Sequence, residues 1–298
     1  MRLLAITVLF HPDQDAFLNI GRYLSDVDCL IIWDNTPSKD RQYDIISSLQ
    51  NIYKEKDIAK IQIMGTGRNE GLSFAYNRAV KYAQDNGYTH LMTMDQDSQW
   101  EDFKKFKTFA EKYWQKNGLA ILGPEIQIGT TVKSNVNHLP IKKNVRTVIN
   151  SGAIIPIQIF EKIGLYSERF FVYAVDNEIC YRCNRANIQV AYILYSGYLI
   201  QKFGNPSKFI FRKKEYECKN YSPASLFGIV RNMTLLSRVY PEESLDIIQY
   251  VKDICIKHWI KVIIIGEKKK FSKIIAILLG YIIGLTTHKS TDSKYSKA

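Results

Sequence analysis

At 298 residues, with 46% hydrophobic and 23% charged, the chain is long enough to bury a large core and reads as globular, which excludes a disordered protein. The net charge of +12 is unevenly spread: residues 252–298 hold ten Lys against three acids and carry +7 of it, so the basic character belongs to a tail and suits an anionic surface as partner. Five Cys, an odd number, argue for a reducing compartment.

The opening run "MRLLAITVLFHPD" has one Arg and a short apolar stretch that meets His11 and Pro12 instead of a small-residue cleavage site. It reads as a first strand over 3–10 and not as a signal peptide. A helix follows over about 13–24, then a strand "CLIIWDN" (29–35), a helical "DRQYDIISSLQNIY" and a third strand "IAKIQIMG" (58–65). The pattern continues with a helix over 72–87 closed by Gly87, a fourth strand "THLMTMD" (89–95), a helix "SQWEDFKKFKTFAEKYWQKNG" closed by Gly118, and a fifth strand over 119–126. Apolar strands alternating with helices predict an α/β fold with a parallel sheet covered on both faces, and such sheets bind ligands at the C-terminal ends of their strands. The stretch from about 147 to 193 reads as strand, turn, short helix, loop, helix and strand. From about 205 a Lys- and aromatic-rich loop leads into amphipathic helices.

Polar residues collect where the strands end. Asp34 and Asn35 end the second strand, "GTGRNEG" (65–71) follows the third, and "DQDS" (95–98) follows the fourth. Three successive ends of this kind line one crevice. Each has a plainer explanation alone. Ser98-x-x-Glu101 fits a capping box, which accounts for Ser98 and Asp97 but not for Asp95. "GRNEG" fits a turn before a helix, and Asp34 a strand-end turn. The other reading of Asp95-x-Asp97 is a divalent-ion site, because paired carboxylates bridge such an ion to substrate phosphates. A further cluster, "ERFFVYAVDNEICYR" (168–182), places Asp176 and Glu178 at a helix start. Glu178 is explained by the helix dipole and an i,i+4 pair with Arg182. Asp176 follows an aromatic run whose burial raises a carboxylate toward the range of a useful base. Cys180 and Cys183 form a lone C-x-x-C with no matching second pair, and packing on a helix face fits them better than zinc.

Taken in order, "VLFHP", "IIWDNTP", "GRNEGLSFAYNRAV", "LMTMDQDS", "INSGAIIP", "FFVYAVDNEICYR" and "SPASLFGIVRN" resemble glycosyltransferase family 2, and more narrowly its bacterial rhamnosyltransferase-like branch. The resemblance runs from residue 3 to about 232. It implies a GT-A fold, a nucleotide-diphospho-sugar donor (dTDP-L-rhamnose by the branch it resembles, with a UDP-linked sugar as the alternative), Mg²⁺ or Mn²⁺, and inversion at the anomeric carbon. Residue by residue, it implies that Thr7, Phe10 and Asp34 hold the base and that Arg68, Asn69, Gly71 and Asn77 lie under the nucleotide. It further implies that Asp95 contacts ribose or metal, that Asp97 binds metal, and that Asp176 is the base with Glu178 in support. The same resemblance implies acceptor contacts for Arg231 and Asn232. Two departures stand out: Gln201 in "QKFG" occupies a place where many relatives carry His, and Ser225, Phe227 and Gly228 replace an Arg and a Tyr pair.

Other classes fit less well. A dehydrogenase needs G-x-G-x-x-G after strand one, where this chain has "FHPDQD". A nucleotidyltransferase of sugar-nucleotide synthesis usually opens with a Gly-rich loop and a Lys, also missing. A nucleic-acid binder needs interleaved basic and aromatic residues rather than an acidic crevice. The expected organisation is a catalytic domain over 1–204 and a helical, basic extension over 205–298. Its apolar run 271–284 is too short for a secure membrane span but sits beside Lys268–Lys270 and Lys273, which predicts a cytoplasmic enzyme peripheral on the inner face of the cell membrane, the alternative being a core-packing helix beside a solvated Lys turn. A lipid-diphosphate-linked glycan or polysaccharide precursor is the acceptor this placement suits.

Overall fold

The computed structural model of the chain describes residues 1–128, 141–201 and 204–288. The chain divides into two compact units, Met1–Phe171 with Val175–Gln201, and Val172–Ala174 with the described residues beyond 201. Tail lysines 289, 294 and 297 lie outside the described residues.

The first unit runs β1 (Leu3–Leu9), α1 (Gln14–Ile20), β2 (Cys29–Asp34), α2 (Ile45–Gln50), α3 (Glu55–Ile58), β3 (Ile61–Gly65), α4 (Gly71–Asp85) and β4 (His90–Asp95). It continues with β5 (Gln99–Glu101), α5 (Phe103–Asn117), β6 (Ala120–Ile128), β7 (Ile141–Asn144), β8 (Ile154–Pro156), α6 (Ile157–Ile163), α7 (Val175–Arg185) and β9 (Gln189–Gln201). All five expected strands form. The buried runs of β1 and β2 leave no solvent face, as strands covered on both sides require.

The sheet is mixed, however, not parallel throughout. Its order is β3-β2-β1-β4-β8-β6-β9-β5, with β7 also on β9. β3, β2, β1 and β4 are parallel neighbours, but the three-residue β8 inserts antiparallel between β4 and β6. β5 and β7 add antiparallel to β9. Between Pro124 and Glu125 the register with β9 jumps from Ile193 to Tyr198, so β9 bulges. Gly197 sits in that bulge at φ +114°, and a Cβ there would lie 2.4 Å from the Asp102 carbonyl, which only glycine tolerates.

The helix expected to start at Ser98 starts later. Residues 99–101 are strand, and Asp102 is the N-cap of α5, left-handed at φ 61° and accepting from the Lys105 N–H at 3.2 Å. Glu101 pairs with Arg22 instead of closing a capping box. α2 is likewise shorter than "DRQYDIISSLQNIY" suggests, because Asp44 caps it at Ile45.

The second unit runs β10 (Ser207–Phe211), β11 (Lys214–Cys218), α8 (Pro223–Val239), α9 (Leu245–Tyr250), a π-helical turn over Val251–His258, α10 (Trp259–Gly266) and α11 (Lys270–Thr286). The stretch after 205 read as a loop is in fact the β10–β11 hairpin. Gly280 and Gly284 bring α11 close to α8: a Cβ on either would lie 2.7 Å from a backbone carbonyl oxygen of α8. Lys273 is not part of an exposed basic cluster. It is buried, with its Nζ 2.5 Å from Glu267 Oε2, while Glu267 Oε1 accepts from the Asn220 N–H at 3.2 Å. No helix among the described residues is long and apolar enough to cross a membrane.

Candidate active site

Strand register assembles the crevice. Leu9 of β1 lies opposite Asp34, Val8 opposite Asp95, and Asp34 opposite Gly65. The ends of β2 and β4 therefore flank the end of β1, and the end of β3 lies beyond that of β2. Gly65 carries no side chain for a reason: a Cβ would stand 2.7 Å from the Asp34 carbonyl oxygen.

Three carboxylates act on one another here. Asp95 is half-buried at the end of β4, Asp97 is exposed two residues on, and Asp176 lies in the first turn of α7. Burial, then the negative charges of Asp97 and Asp176, push the Asp95 carboxyl up to about 7, against a lowering hydrogen bond from Gln201. Burial also raises Asp176, partly offset by hydrogen bonds from the backbone N–H groups of Asn177, Asp176 and Asn150. Gln201, the last residue of β9, donates Nε2 to Asp95 Oδ2 at 3.0 Å. Its Oε1 is buried and accepts no hydrogen bond among the described residues.

These donors fit a divalent cation. Like-charged carboxylates crowded in a desolvated place favour a positive ion, and Gln201 adds an idle buried amide oxygen beside them. Among the described residues no group of three or more His, Cys, Asp or Glu could enclose an ion. An ion held by fewer protein carboxylates would need substrate phosphates and water to complete its coordination. The capping explanation for Asp97 and Ser98 has also fallen away. Asp102 caps α5, and the buried Ser98 hydroxyl has no partner among the described residues.

The other expected residues divide. Thr7 is buried within β1, and Phe10 stands 44% exposed just past it. Asp34 Oδ1 accepts from Tyr43 Oη at 2.7 Å and the Thr36 N–H at 2.9 Å, and Arg41 Nη2 lies 2.6 Å from Oδ2. Arg68 and Asn69 are exposed in the turn before α4, where Asn69 Oδ1 accepts from the Gly71 N–H. Gly71 has φ +79°, and a Cβ there would meet the Phe171 carbonyl oxygen at 2.4 Å. Asn77 is occupied elsewhere: its amide holds both the N–H and the carbonyl of Tyr166, at 2.8 and 3.0 Å, and reaches Glu168. Glu178 is buried and paired with Arg182 Nη2 at 2.8 Å, the i,i+4 bridge its spacing suggests, and Arg182 Nη1 donates to the Ile163 carbonyl. Arg231 and Asn232 belong to α8 of the second unit, where Asn232 Nδ2 donates to the carbonyls of Val172 and Tyr173.

Sequence reading passed over the residues that hold the carboxylates in place. Gln96, between the two acids, accepts from the Phe10 N–H at 2.8 Å through Oε1 and donates to the Phe10 carbonyl at 3.1 Å through Nε2. Ser151 Oγ accepts from the Asp95 N–H, and Thr93 Oγ1 donates to the Asn150 carbonyl. Asn150 Nδ2 donates to Tyr76 Oη. "INSGA" was legible as a motif, but its pairing with β4 depends on the inserted β8.

The mixed sheet flanked by helices is a GT-A-like fold, as overlay on solved structures shows. Among solved structures, GalNAc-T7 with UDP, GalNAc and Mn²⁺ overlays with a TM-score of 0.57 at 10% identity, covering 83% of this chain and 49% of that one. Staphylococcus aureus TarS 1–349 in complex with UDP-GlcNAc overlays with a TM-score of 0.55 at 13% identity, covering 95% of this chain and 81% of that one. The chain belongs to glycosyl transferase family 2, whose model matches residues 15–176. It is 26% identical over 254 residues to the dTDP-rhamnosyl transferase RfbF of Shigella flexneri, covering 78% of this chain and 79% of that protein. It is 23% identical over 286 residues to the low-salt glycan biosynthesis hexosyltransferase Agl10 of Haloferax volcanii, covering 89% and 86%.

Proposed function

We propose that this glycosyltransferase moves L-rhamnose from dTDP-L-rhamnose to a hydroxyl of a cell-surface polysaccharide or lipid-linked glycan precursor, with inversion. The observation that carries the reading is the group formed by Asp95 and Asp97 at the end of β4 and Asp176 in the first turn of α7, with the idle Gln201 oxygen beside Asp95. The likeness to a dTDP-rhamnosyl transferase supports the choice of donor.

Asp97 and Asp95 hold Mg²⁺ or Mn²⁺ in this reading, and Gln201 orients Asp95 through its Nε2. A divalent ion held by these carboxylates would supply Lewis-acid stabilisation for the departing nucleoside diphosphate, so that no proton donor would be required there. Asp34 and the backbone around Phe10 receive the base, and the exposed Arg68 meets the donor phosphates. Asp176 takes the proton from the attacking acceptor hydroxyl, and its raised proton affinity suits that role. A single displacement inverts the anomeric carbon. The acceptor is carried on lipid diphosphate at the cytoplasmic face of the membrane.

Hydrolysis of a panel of nucleotide sugars, with and without Mn²⁺, tests the proposal. Metal-dependent turnover of dTDP-L-rhamnose above UDP-linked hexoses is the expected result. A preference for a UDP-sugar would overturn the choice of donor, and turnover indifferent to chelator would overturn the role given to Asp97.

A further inference from the structure

One face of α11 packs on α8 and the other is left bare. Ala276, Ile277, Gly280 and Gly284 are buried, and the two glycines lie against the α8 backbone. On the opposite face, Phe271 is 79% exposed and Ile282 53%, with Ile275, Leu278 and Leu285 also exposed at alternating spacings of four and three residues. Leu279 and Ile283 widen this stripe to roughly 160° of the helix circumference, at about 100° per residue. These side chains form one contiguous exposed apolar stripe, and the largest such patch on a soluble monomer is often functional.

Charge identifies the occupant. Lys268, Lys269 and Lys270 are all exposed at the N-terminal end of the stripe, and Lys269 is an N-cap with no side-chain capping bond. Lysine at a helix N-terminus opposes the macrodipole, so this arrangement is unfavourable for the helix alone. Facing a negative surface, the same three lysines become an attraction. A second copy of the chain would bring no such charge with this helix, since residues 268–288 contain no Asp or Glu. The stripe is also broader than the narrow seam through which two helices pair.

We infer that α11 is a lipid-docking helix. It lies in the plane of an anionic leaflet, with Phe271, Ile275, Leu278 and Ile282 in the acyl boundary and Lys268–Lys270 at the lipid phosphates. Lys273, which the sequence groups with them, takes no part because Glu267 holds it in the interior. The inference rests on the reading of an enzyme at the membrane face for its setting, and it specifies the surface that makes the contact.

The test is sedimentation of the full chain with phosphatidylcholine vesicles containing about a third phosphatidylglycerol. The Lys268→Gln/Lys269→Gln/Lys270→Gln variant should bind on the order of a hundredfold more weakly, taking about fivefold per lysine. Phe271→Ser/Ile282→Ser should also lose binding, and both variants should keep the wild-type thermal midpoint because every altered side chain is exposed. Binding that survives both sets of changes overturns the inference, as does wild-type protein that ignores these vesicles at low salt. A wild-type dimer that Phe271→Ser/Ile282→Ser turns into a monomer, with no vesicle binding, would assign the face to a second copy. Nucleotide-sugar hydrolysis measured without vesicles separates the two readings. Docking with no hydrolysis overturns the proposed reaction, and hydrolysis with no docking overturns only the membrane face.

Discussion

Replacing Asp95 with Asn should make the metal-free protein more stable while destroying its activity. Asp95 has a carboxyl pushed from 3.8 up to about 7 in the fold. An acid whose folded pKa is raised binds its proton more tightly folded than unfolded, so ionising it costs stability. The cost is absent below about pH 4, grows as pH rises, and is complete above pH 7. At about 1.4 kcal/mol per pH unit the ceiling is about 4 kcal/mol. Water reaching this half-buried carboxylate reduces the expectation to about 2 kcal/mol. Asn keeps an oxygen to accept from Gln201 Nε2, so that hydrogen bond is retained. Urea unfolding in EDTA should therefore show Asp95→Asn about 2 kcal/mol more stable than wild type at pH 8, and by less than half as much at pH 5. Adding Mn²⁺ at pH 8 should stabilise the wild type and leave the variant unmoved. A variant that is less stable at pH 8, or equally changed at both pH values, would refute the claim that crowded charge is the cause.

Asp97→Asn should retain the fold and lose metal-dependent transfer by at least about a hundredfold, which near-normal turnover with an ordinary Mn²⁺ response would contradict. Asp176→Asn should lower transfer by about 10²–10⁴ while donor affinity, read by calorimetry, stays within about threefold; a collapse of donor binding would show that Asp176 holds the site together instead. In the second unit, Lys273→Met strands Glu267 in the interior and should cost about 3–5 kcal/mol in urea unfolding, whereas Lys273→Met/Glu267→Gln should recover much of the loss. A double variant no better than the single one would mean that the two side chains do not act as a pair.

The strand half of the fold was legible because hydrophobic runs bounded by polar turns are a local signal. β1, β2 and β4 fall within a residue of their expected ends. What stayed hidden was pairing at a distance. Nothing local shows that the three residues of β8 wedge antiparallel between β4 and β6, or that β9 takes three partners besides a bulge. The start of α5 misled for a chemical reason. Ser98 and Glu101 have the spacing of a capping box, yet β5 continues through 101, and Asp102 adopts a left-handed conformation that few residues visit. Acids at strand ends could be found from the chain alone. Their supports, Ser151 and Asn150, could not, because each acts across the insertion.

Gln96 has a consequence for anyone who would graft specificity between relatives. Its amide stands in for a neighbouring strand, offering one acceptor and one donor to the backbone of Phe10. Glu would keep the acceptor and lose the donor, Leu would lose both, and Asn is a methylene too short to span the same gap. The middle letter of the acid-x-acid motif is thus bound to the loop after β1 as one mechanical piece. Chimeras that exchange that loop without residue 96, or residue 96 without the loop, should separate the part proposed to receive the base from the part proposed to hold the ion. A loop swap carried out with its matching middle residue is the smallest transplant in which the two remain registered.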